Sequence, residues 1–249
     1  MKFLSMPEKS GHWYREDGKS AHGATLREAR RENLYPSVTT VLSLIASPGL
    51  DAWKRSEAIL AALTLPKIEG ESDQDFAARV AIDMEETGSK AAKIGTNIHD
   101  WAEKYCLGEY ATYPEGYETV CYKVQEWIDT NLDKTRIYPE QAMVNKELGY
   151  AGKIDLQGYT KDGRFFILDF KSQGIKPGKN AVFYPKWIQQ LAAYAEGKVQ
   201  NLCNLAISTN PDNPIIAEKW WTKEEIETGW EIFKHCLAIW QLERGYKPV

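Results

Sequence analysis

Apolar positions recur at helical spacing through the first half of the chain, and they alternate with polar positions after Arg136. Ser37 is the predicted N-cap of the first helix, because its hydroxyl can accept from a free backbone N–H group. Pro48-Gly49 is predicted to end that helix. The pattern before Arg136 predicts five helices, over residues 38–46, 50–63, 73–84, 88–107 and 116–132.

The alternating second half predicts strands over residues 136–145, 150–159, 164–171 and 202–208, with helices over 185–197 and 222–244. An apolar fraction of 43% supplies enough material for a sizeable core. No linker rich in Pro, Gly or Ser divides the chain, so we expect one α/β domain over residues 1–249. Within it, we expect a helical part over 36–135 and an α/β core over 136–249.

The predicted strand 164–171 carries an acid and a base two positions apart. Side chains alternate between the two faces of a strand, so Asp169 and Lys171 share one face while Leu168 and Phe170 lie on the other. Charged groups on an otherwise apolar strand are costly to bury unless a metal, an anion or a partner satisfies them. The pair therefore marks a candidate site.

The turn between the two middle strands decides whether Asp155 reaches the same site. A two-residue loop would place Asp155 opposite Phe170 and therefore on the wrong face. A three-residue loop, residues 161–163, puts Gly163 at the left-handed position that such loops favour, and it places Asp155 opposite Asp169. We therefore predict the three-residue loop.

Two carboxylates at neighbouring positions repel each other unless a cation lies between them. Oxygen ligands of this kind suit Mg²⁺ or Mn²⁺, which also bind phosphate oxygens. Lys171 beside them could stabilise charge on a phosphoryl group or help to orient an attacking water. The alternative is an ordinary salt bridge at a surface hairpin, because isolated D-x-K triplets are common.

Four separated motifs occur in the order Pro36-Ser37-Val38-Thr39-Thr40-Val41-Leu42, then Gly95-Thr96-Asn97-Ile98-His99, then Gly152-Lys153-Ile154-Asp155 with Asp169-Phe170-Lys171-Ser172, then Gln190-Leu191-Ala192-Ala193-Tyr194. This series resembles the PD-(D/E)XK nucleases, in particular the RecB-like branch that includes phage exonucleases and the mitochondrial genome-maintenance exonuclease. The resemblance spans residues 36–194, and the combination is far more specific than any single motif.

The resemblance implies a restriction-endonuclease-like core, with a mixed central sheet flanked by helices and preceded by a helical N-terminal half. It implies a DNA exonuclease, in the recombination, repair or replication of a phage or bacterium, that depends on Mg²⁺ or Mn²⁺. The metal ligands would be His99, Asp155, Asp169 and the main-chain carbonyl of Phe170. The catalytic residues would be Asp155, Asp169 and Lys171, supported by Gln190 and Tyr194.

At a predicted helix start, Ser37, Thr39 and Thr40 could offer hydroxyls and backbone N–H groups to a phosphate. The further substrate-binding candidates within the motifs are Thr96, Lys153 and Ser172. Purely structural alternatives remain open for several of the candidate site residues. The hydroxyls of residues 37–40 are equally suited to capping a helix. His99 alone would be an ordinary packing or surface histidine, and Gln190 with Tyr194 would be polar residues at a core boundary.

The net charge of −4 is unevenly distributed, since residues 146–198 contain nine basic and five acidic side chains. A basic segment on an acidic body is typical of a phosphate-binding groove, although scatter over exposed faces would give the same count. We expect DNA as the partner, as single strands or duplex ends, and also a recombination or single-strand-binding protein. The alternative functions are a non-catalytic DNA-binding recombination accessory protein and an endonuclease on the same fold.

The remaining composition bears on compartment. No pair of the four cysteines forms a C-x-x-C, so we expect reduced thiols rather than a zinc or iron–sulfur site. No apolar run approaches the roughly 20 residues that span a bilayer, and the first residues turn polar too soon for a signal peptide. We therefore expect no membrane partner and a cytoplasmic location, in a bacterium or a phage-infected host cell.

Overall fold

A computed structural model describes residues 11–249 of the chain. Its helices are α1 (Leu26–Glu32), α2 (Val38–Leu42), α3 (Pro48–Thr64), α4 (Asp73–Cys106), α5 (Glu118–Asn131), α6 (Pro185–Tyr194) and α7 (Lys223–Arg244). Its strands are β1 (Trp13–Tyr14), β2 (Tyr35–Pro36), β3 (Leu132–Asn145), β4 (Tyr150–Thr160), β5 (Phe165–Gln173), β6 (Leu202–Ser208) and β7 (Ile216–Trp220). None of the helices described is long and apolar enough to cross a membrane.

The main sheet has five strands in the order β3-β4-β5-β6-β7. Only the β5–β6 pair is parallel, and the chain makes that crossover through α6. The short strands β1 and β2 form a separate ribbon, which meets β4 through a bridge between Ser37 and Ala151. The predicted α/β class, with a mixed sheet flanked by helices, is confirmed.

Two buried apolar clusters cover the two faces of this sheet. Along β5, Ile167 packs into a cluster with α2, α6 and α7, whereas Phe166, Leu168 and Phe170 pack into a second cluster with α4 and α5. The alternation along β5 follows from its pleat. Asp169 and Lys171 therefore lie on the α6 side of the sheet.

The turn between β4 and β5 has the predicted three-residue form. Gly163 adopts a φ of 87°, and the Thr160 N–H donates to the Arg164 carbonyl at 3.0 Å. Pairing continues as far as Leu156 opposite Leu168, which is the predicted register. The choice of loop from its glycine was therefore sufficient to align the two strands.

The prediction of separate helices over 73–84 and 88–107 was wrong, because α4 is one helix that runs straight through Gly88. A glycine inside a helix costs only about 1 kcal/mol relative to alanine, which packing can offset. Here α3 packs alongside, and a Cβ at Gly88 would lie 3.8 Å from the Trp53 ring.

Several boundaries also differ from those predicted. Helix α2 ends at Leu42 rather than at 46, and Pro48 begins α3 at its first turn, where the missing N–H of proline costs nothing. Strand β3 begins at Leu132, before an irregularity in its pairing with β4. Elements α1, β1, β2 and β7 were not predicted, although α1 has a capping box of Thr25 and Glu28 that the sequence contains.

All four cysteines are buried free thiols. Burial raises the pKa of the Cys106 and Cys121 thiols to about 12, which keeps both protonated at neutral pH. These side chains therefore serve as small core residues.

Candidate active site

The two carboxylates lie where β4 and β5 cease to pair. Beyond Leu156 and Leu168 the two strands separate, and the next residues along them are Asp155 and Asp169. The Asp155 carboxylate spans this gap and accepts from the Phe170 N–H at 2.9 Å. The gap at this end of the ladder, which the two acids line, is called the cleft below.

Asp169 is the more deeply buried of the two, with 1% of the residue exposed. Lys171 Nζ lies 2.8 Å from its Oδ2, the Gln190 amide donates to Oδ1 at 2.9 Å, and the Asn204 amide donates to Oδ2 at 2.7 Å. Both carboxylate oxygens are therefore held from several directions. A carboxylate with this many donors keeps a fixed orientation.

Helix α6 holds the lysine as well as the acid. Gln190 accepts from Lys171 Nζ at 3.0 Å through Oε1, and its Nε2 also donates to the Tyr194 hydroxyl at 3.0 Å. A Cβ at Gly152 would come within 2.5 Å of the Tyr194 ring, so this glycine makes room for the tyrosine. The predicted pair on one face of α6 is joined to the acid–base pair of β5.

Burial shifts the charge balance of the cleft. The pKa of Asp169 is raised to about 6, chiefly by burial and further by the charge of Asp155, although Lys171 opposes the shift. Burial also raises the pKa of Asp155, against the effects of Lys171 and the Phe170 N–H. One lysine therefore does not fully compensate two buried carboxylates. Additional positive charge would stabilise their ionised forms.

His99 reaches the cleft from α4, on the other side of the sheet from α6. Its Nδ1 lies 3.7 Å from Asp155 Oδ2. The centroids of the His99 and Phe170 rings are 5.8 Å apart, and the rings are arranged edge to face. Burial lowers the pKa of His99 below its usual 6.5, so the ring is neutral at neutral pH and keeps a free nitrogen lone pair. A Cβ at Gly95, one turn earlier, would come within 2.5 Å of Ser172 Oγ, which allows α4 to approach β5 closely.

The side chains at the cleft fit a divalent cation in their chemistry. Among residues 11–249, no three His, Cys, Asp or Glu side chains converge into a ready-made metal centre, and at this cleft the Lys171 ammonium bonds to Asp169. Two carboxylates, a neutral imidazole and a main-chain carbonyl are ligands that Mg²⁺ and Mn²⁺ accept. The raised pKa values of both acids are consistent with a site that needs such a charge.

Ser37 and Thr40, which were predicted to bind substrate, bond to each other. Ser37 accepts from the Thr40 N–H and donates to Thr40 Oγ1, both at 2.9 Å, and is only 3% exposed. Thr40 Oγ1 also accepts from the His12 N–H at 3.1 Å. These contacts favour the capping alternative for Ser37, whereas Thr39 is exposed.

The other predicted substrate-binding residues make contacts away from the two acids. Thr96 is exposed and donates to the Ala92 carbonyl at 3.1 Å, within its own helix. Lys153 forms an ion pair with Glu140 on the neighbouring strand. Ser172 is exposed beside Gly95. None of these contacts is made to Asp169, Lys171 or Gln190.

The basic excess of residues 146–198 is partly neutralised within the fold. Lys146 pairs with Glu16 and Lys153 pairs with Glu140, and both of these acids lie outside the segment. An ammonium that is paired with a carboxylate adds no net positive charge to the surface around it. The segment therefore contributes fewer free cations than its composition suggests.

Asn204 is the residue at this site that sequence reasoning missed. It is fully buried in the middle of β6, opposite Asp169 in the parallel register, and it accepts from the Trp221 indole N–H at 2.8 Å. Its signal in the sequence was a lone amide inside the apolar run Leu202-Cys203-Asn204-Leu205-Ala206-Ile207. A buried amide requires partners, but sequence alone did not identify them.

No family model and no curated protein sequence matches this chain. Among solved structures, it is similar to the crystal structure of a protein designated SSO0001, at 11% identity over 76% of this chain and 86% of that one. The TM-score of 0.34 is too low for this similarity to carry an argument about function.

Proposed function

We propose that this chain is a Mg²⁺- or Mn²⁺-dependent deoxyribonuclease of the PD-(D/E)XK type, and an exonuclease of the RecB-like branch. The observation that carries the proposal is the convergence of Asp155, Asp169 and Lys171 where two strands separate, with Gln190 bonded to the last two. The mixed sheet with flanking helices is compatible with a restriction-endonuclease-like core. The exonuclease preference rests on the motif resemblance.

In this proposal Asp155, Asp169, His99 and the Phe170 carbonyl hold the metal. When bound, a divalent cation supplies Lewis-acid stabilisation of the scissile phosphate and makes a bound water more acidic. The two acids contribute because hydrogen bonds hold their carboxylates in place, and His99 contributes because its ring is neutral at neutral pH. The Phe170 N–H orients Asp155 from the opposite strand.

Lys171 has a separate role in the proposed reaction. Its ammonium is anchored by Asp169 and Gln190 at the mouth of the cleft, where it can donate to a phosphate oxygen as negative charge develops. Hydrolysis forms a bond from the water oxygen to phosphorus and breaks the bond from phosphorus to the leaving sugar oxygen, which takes up a proton. Tyr194 takes no part as a base, because burial raises its pKa well above its usual value of 10.

The test compares linear and circular single-stranded DNA, each incubated with the protein in Mg²⁺ and in a chelator. An exonuclease degrades the linear strand and spares the circle, and end labels at either terminus reveal its polarity. An endonuclease cleaves both forms, which would correct the mode of cleavage only. A protein that binds both DNAs and cleaves neither, in Mg²⁺ or Mn²⁺, would be the non-catalytic accessory protein and would overturn the proposal.

A further inference from the structure

Asn204 approaches Asp169 from the neighbouring strand β6. Its Nδ2 donates to Asp169 Oδ2 at 2.7 Å and lies 3.2 Å from the Asp169 carbonyl oxygen. Both contacts arise because the parallel register places the two residues directly beside each other. Lys171 and Gln190, by contrast, come from β5 itself and from α6.

Trp221 determines which way the Asn204 amide points. An indole N–H can only donate, so the amide group facing it at 2.8 Å is the Oδ1 acceptor. The Nδ2 donor must then face Asp169. The indole is itself nearly buried and packs in the apolar cluster with α6 and α7, with the Lys219 ammonium 3.9 Å from the ring centre. The amide is thus fixed by a partner outside the cleft.

We propose that Asn204, oriented by Trp221, is a positioning residue that holds the Asp169 carboxylate in one orientation while its other contacts change. The inference rests on the proposed function. If Lys171 turned towards a phosphate, or gave up its place beside the carboxylate to a cation, its bonds to Asp169 would be lost, whereas the bonds from Asn204 and Gln190 would remain. A carboxylate without such an anchor turns broadly about its terminal torsion. Outer contacts of this kind are commonly worth about 10-fold to 100-fold in metal affinity or activity.

Two variants separate positioning from general stability. Asn204→Leu keeps the approximate shape of the side chain and removes its donor, and Trp221→Phe keeps an aromatic ring and frees the amide to rotate. Ser208→Ala is the matched control, because Ser208 is a buried polar residue four positions along the same strand. Its hydroxyl accepts from the Asn210 N–H at 3.2 Å, outside the cleft.

The primary measurement is calorimetric binding of Mn²⁺ to the full chain without DNA, followed by kcat and KM on linear DNA. We expect Asn204→Leu to weaken Mn²⁺ binding and to lower kcat by about 10-fold or more, with KM for DNA little changed. Trp221→Phe should give a smaller loss in the same two quantities. Ser208→Ala should leave both within about two-fold of wild type, even if it unfolds at a lower temperature.

A second readout needs no catalysis. The Trp221 indole N–H resonance, assigned by its loss in Trp221→Phe, should shift when Mg²⁺ is added to the wild type and should not shift when Mg²⁺ is added to Asn204→Leu. Should Asn204→Leu fail to fold, Trp221→Phe decides the matter through its Mn²⁺ affinity. Folded variants that bind Mn²⁺ as the active wild type does would overturn the positioning role alone. A wild type that neither binds metal nor cleaves DNA would overturn the proposed function and this inference with it.

Discussion

The two sides of the cleft differ in how completely their contacts are made. On the α6 side, Gln190 bonds to Asp169, Lys171 and Tyr194, and the helix is buried along most of its second half. On the α4 side, His99 approaches Asp155 no closer than 3.7 Å, and its side chain makes no hydrogen bond among the described residues. The hydrogen bonds on the α6 side are therefore all made without a ligand, whereas His99 on the α4 side keeps a nitrogen lone pair that no hydrogen bond within residues 11–249 uses.

This difference indicates that the two sides of the cleft have different roles. A side chain with all of its bonds made is fixed in place, so its removal should disturb the geometry of the reaction. A side chain with an unused lone pair can gain a bond when a metal arrives, so its removal should change metal preference more than geometry.

Asp169→Asn should abolish cleavage while DNA binding survives. The substitution removes one carboxylate from the proposed metal site and places an amide donor against the Gln190 and Asn204 donors. It also relieves repulsion between the cleft and a phosphate. Single-turnover cleavage and DNA-binding titrations in Mg²⁺ provide the measurement, with Asp162→Asn in the turn of the same hairpin as the control. Wild-type turnover at millimolar metal would refute the site assignment.

Lys171→Ala should lower kcat by about 10²-fold or more while Mn²⁺ binding persists. The ammonium is proposed to act on the phosphate, and its departure also leaves both Asp169 oxygens more accessible to the cation. Calorimetry of Mn²⁺ binding beside the rate measurement separates these effects. Lys176→Ala, an exposed lysine in the loop after β5, is the control. Loss of metal binding or of folding in Lys171→Ala would instead favour a structural salt bridge.

His99→Ala should reduce Mn²⁺-supported activity by a larger factor than Mg²⁺-supported activity, because imidazole suits the softer ion. We expect about a 10-fold loss with Mn²⁺, as for other contributors to metal affinity. Wild-type activity should also decline as pH falls through the His99 pKa, which burial places below 6.5, since a protonated ring cannot ligate. His235→Ala on α7 is the matched control. Equal losses with the two metals would remove His99 from the ligand set.

The smallest effect concerns the stability of the metal-free protein. Because the folded-state pKa of Asp169 is raised to about 6, its contribution to stability is present at low pH and is lost as pH rises through that value. Asp155→Asn removes a charge that raises this pKa, so the loss should become shallower. Each pKa unit corresponds to about 1.4 kcal/mol. Urea unfolding in chelator, from below pH 3.8 to above pH 6, measures the difference, and parallel curves for the two proteins would contradict it.

The parts of the site that depend on local rules could be predicted from the sequence. Gly163 fixed the length of the hairpin loop, and the loop fixed the register that brings Asp155 towards Asp169. Helical spacing placed Gln190 and Tyr194 on one face. In each case the residues are close along the chain or are connected by a turn whose type can be predicted from its residues.

The parts that depend on packing between distant segments could not be predicted. Asn204 lies 35 residues from Asp169, and only the parallel pairing of β5 with β6 joins them. The continuity of α4 through Gly88 depends on its contact with α3, which outweighs the local preference of glycine. Likewise, the edge strand β7 is half-buried and short, so alternation alone gives it little signal.

The two glycines at the cleft limit how homologous sequences can diverge. An alanine at position 95 would bring its methyl group within 2.5 Å of the Ser172 hydroxyl, and an alanine at 152 would do the same to the Tyr194 ring. Position 95 should therefore covary with 172, and position 152 with 194, across related chains. Gly95→Ala should require the Ser172 side chain to shift, and it should be better tolerated together with Ser172→Gly. Tyr194 also accepts from Gln190, so position 152 should be the less free of the two to change.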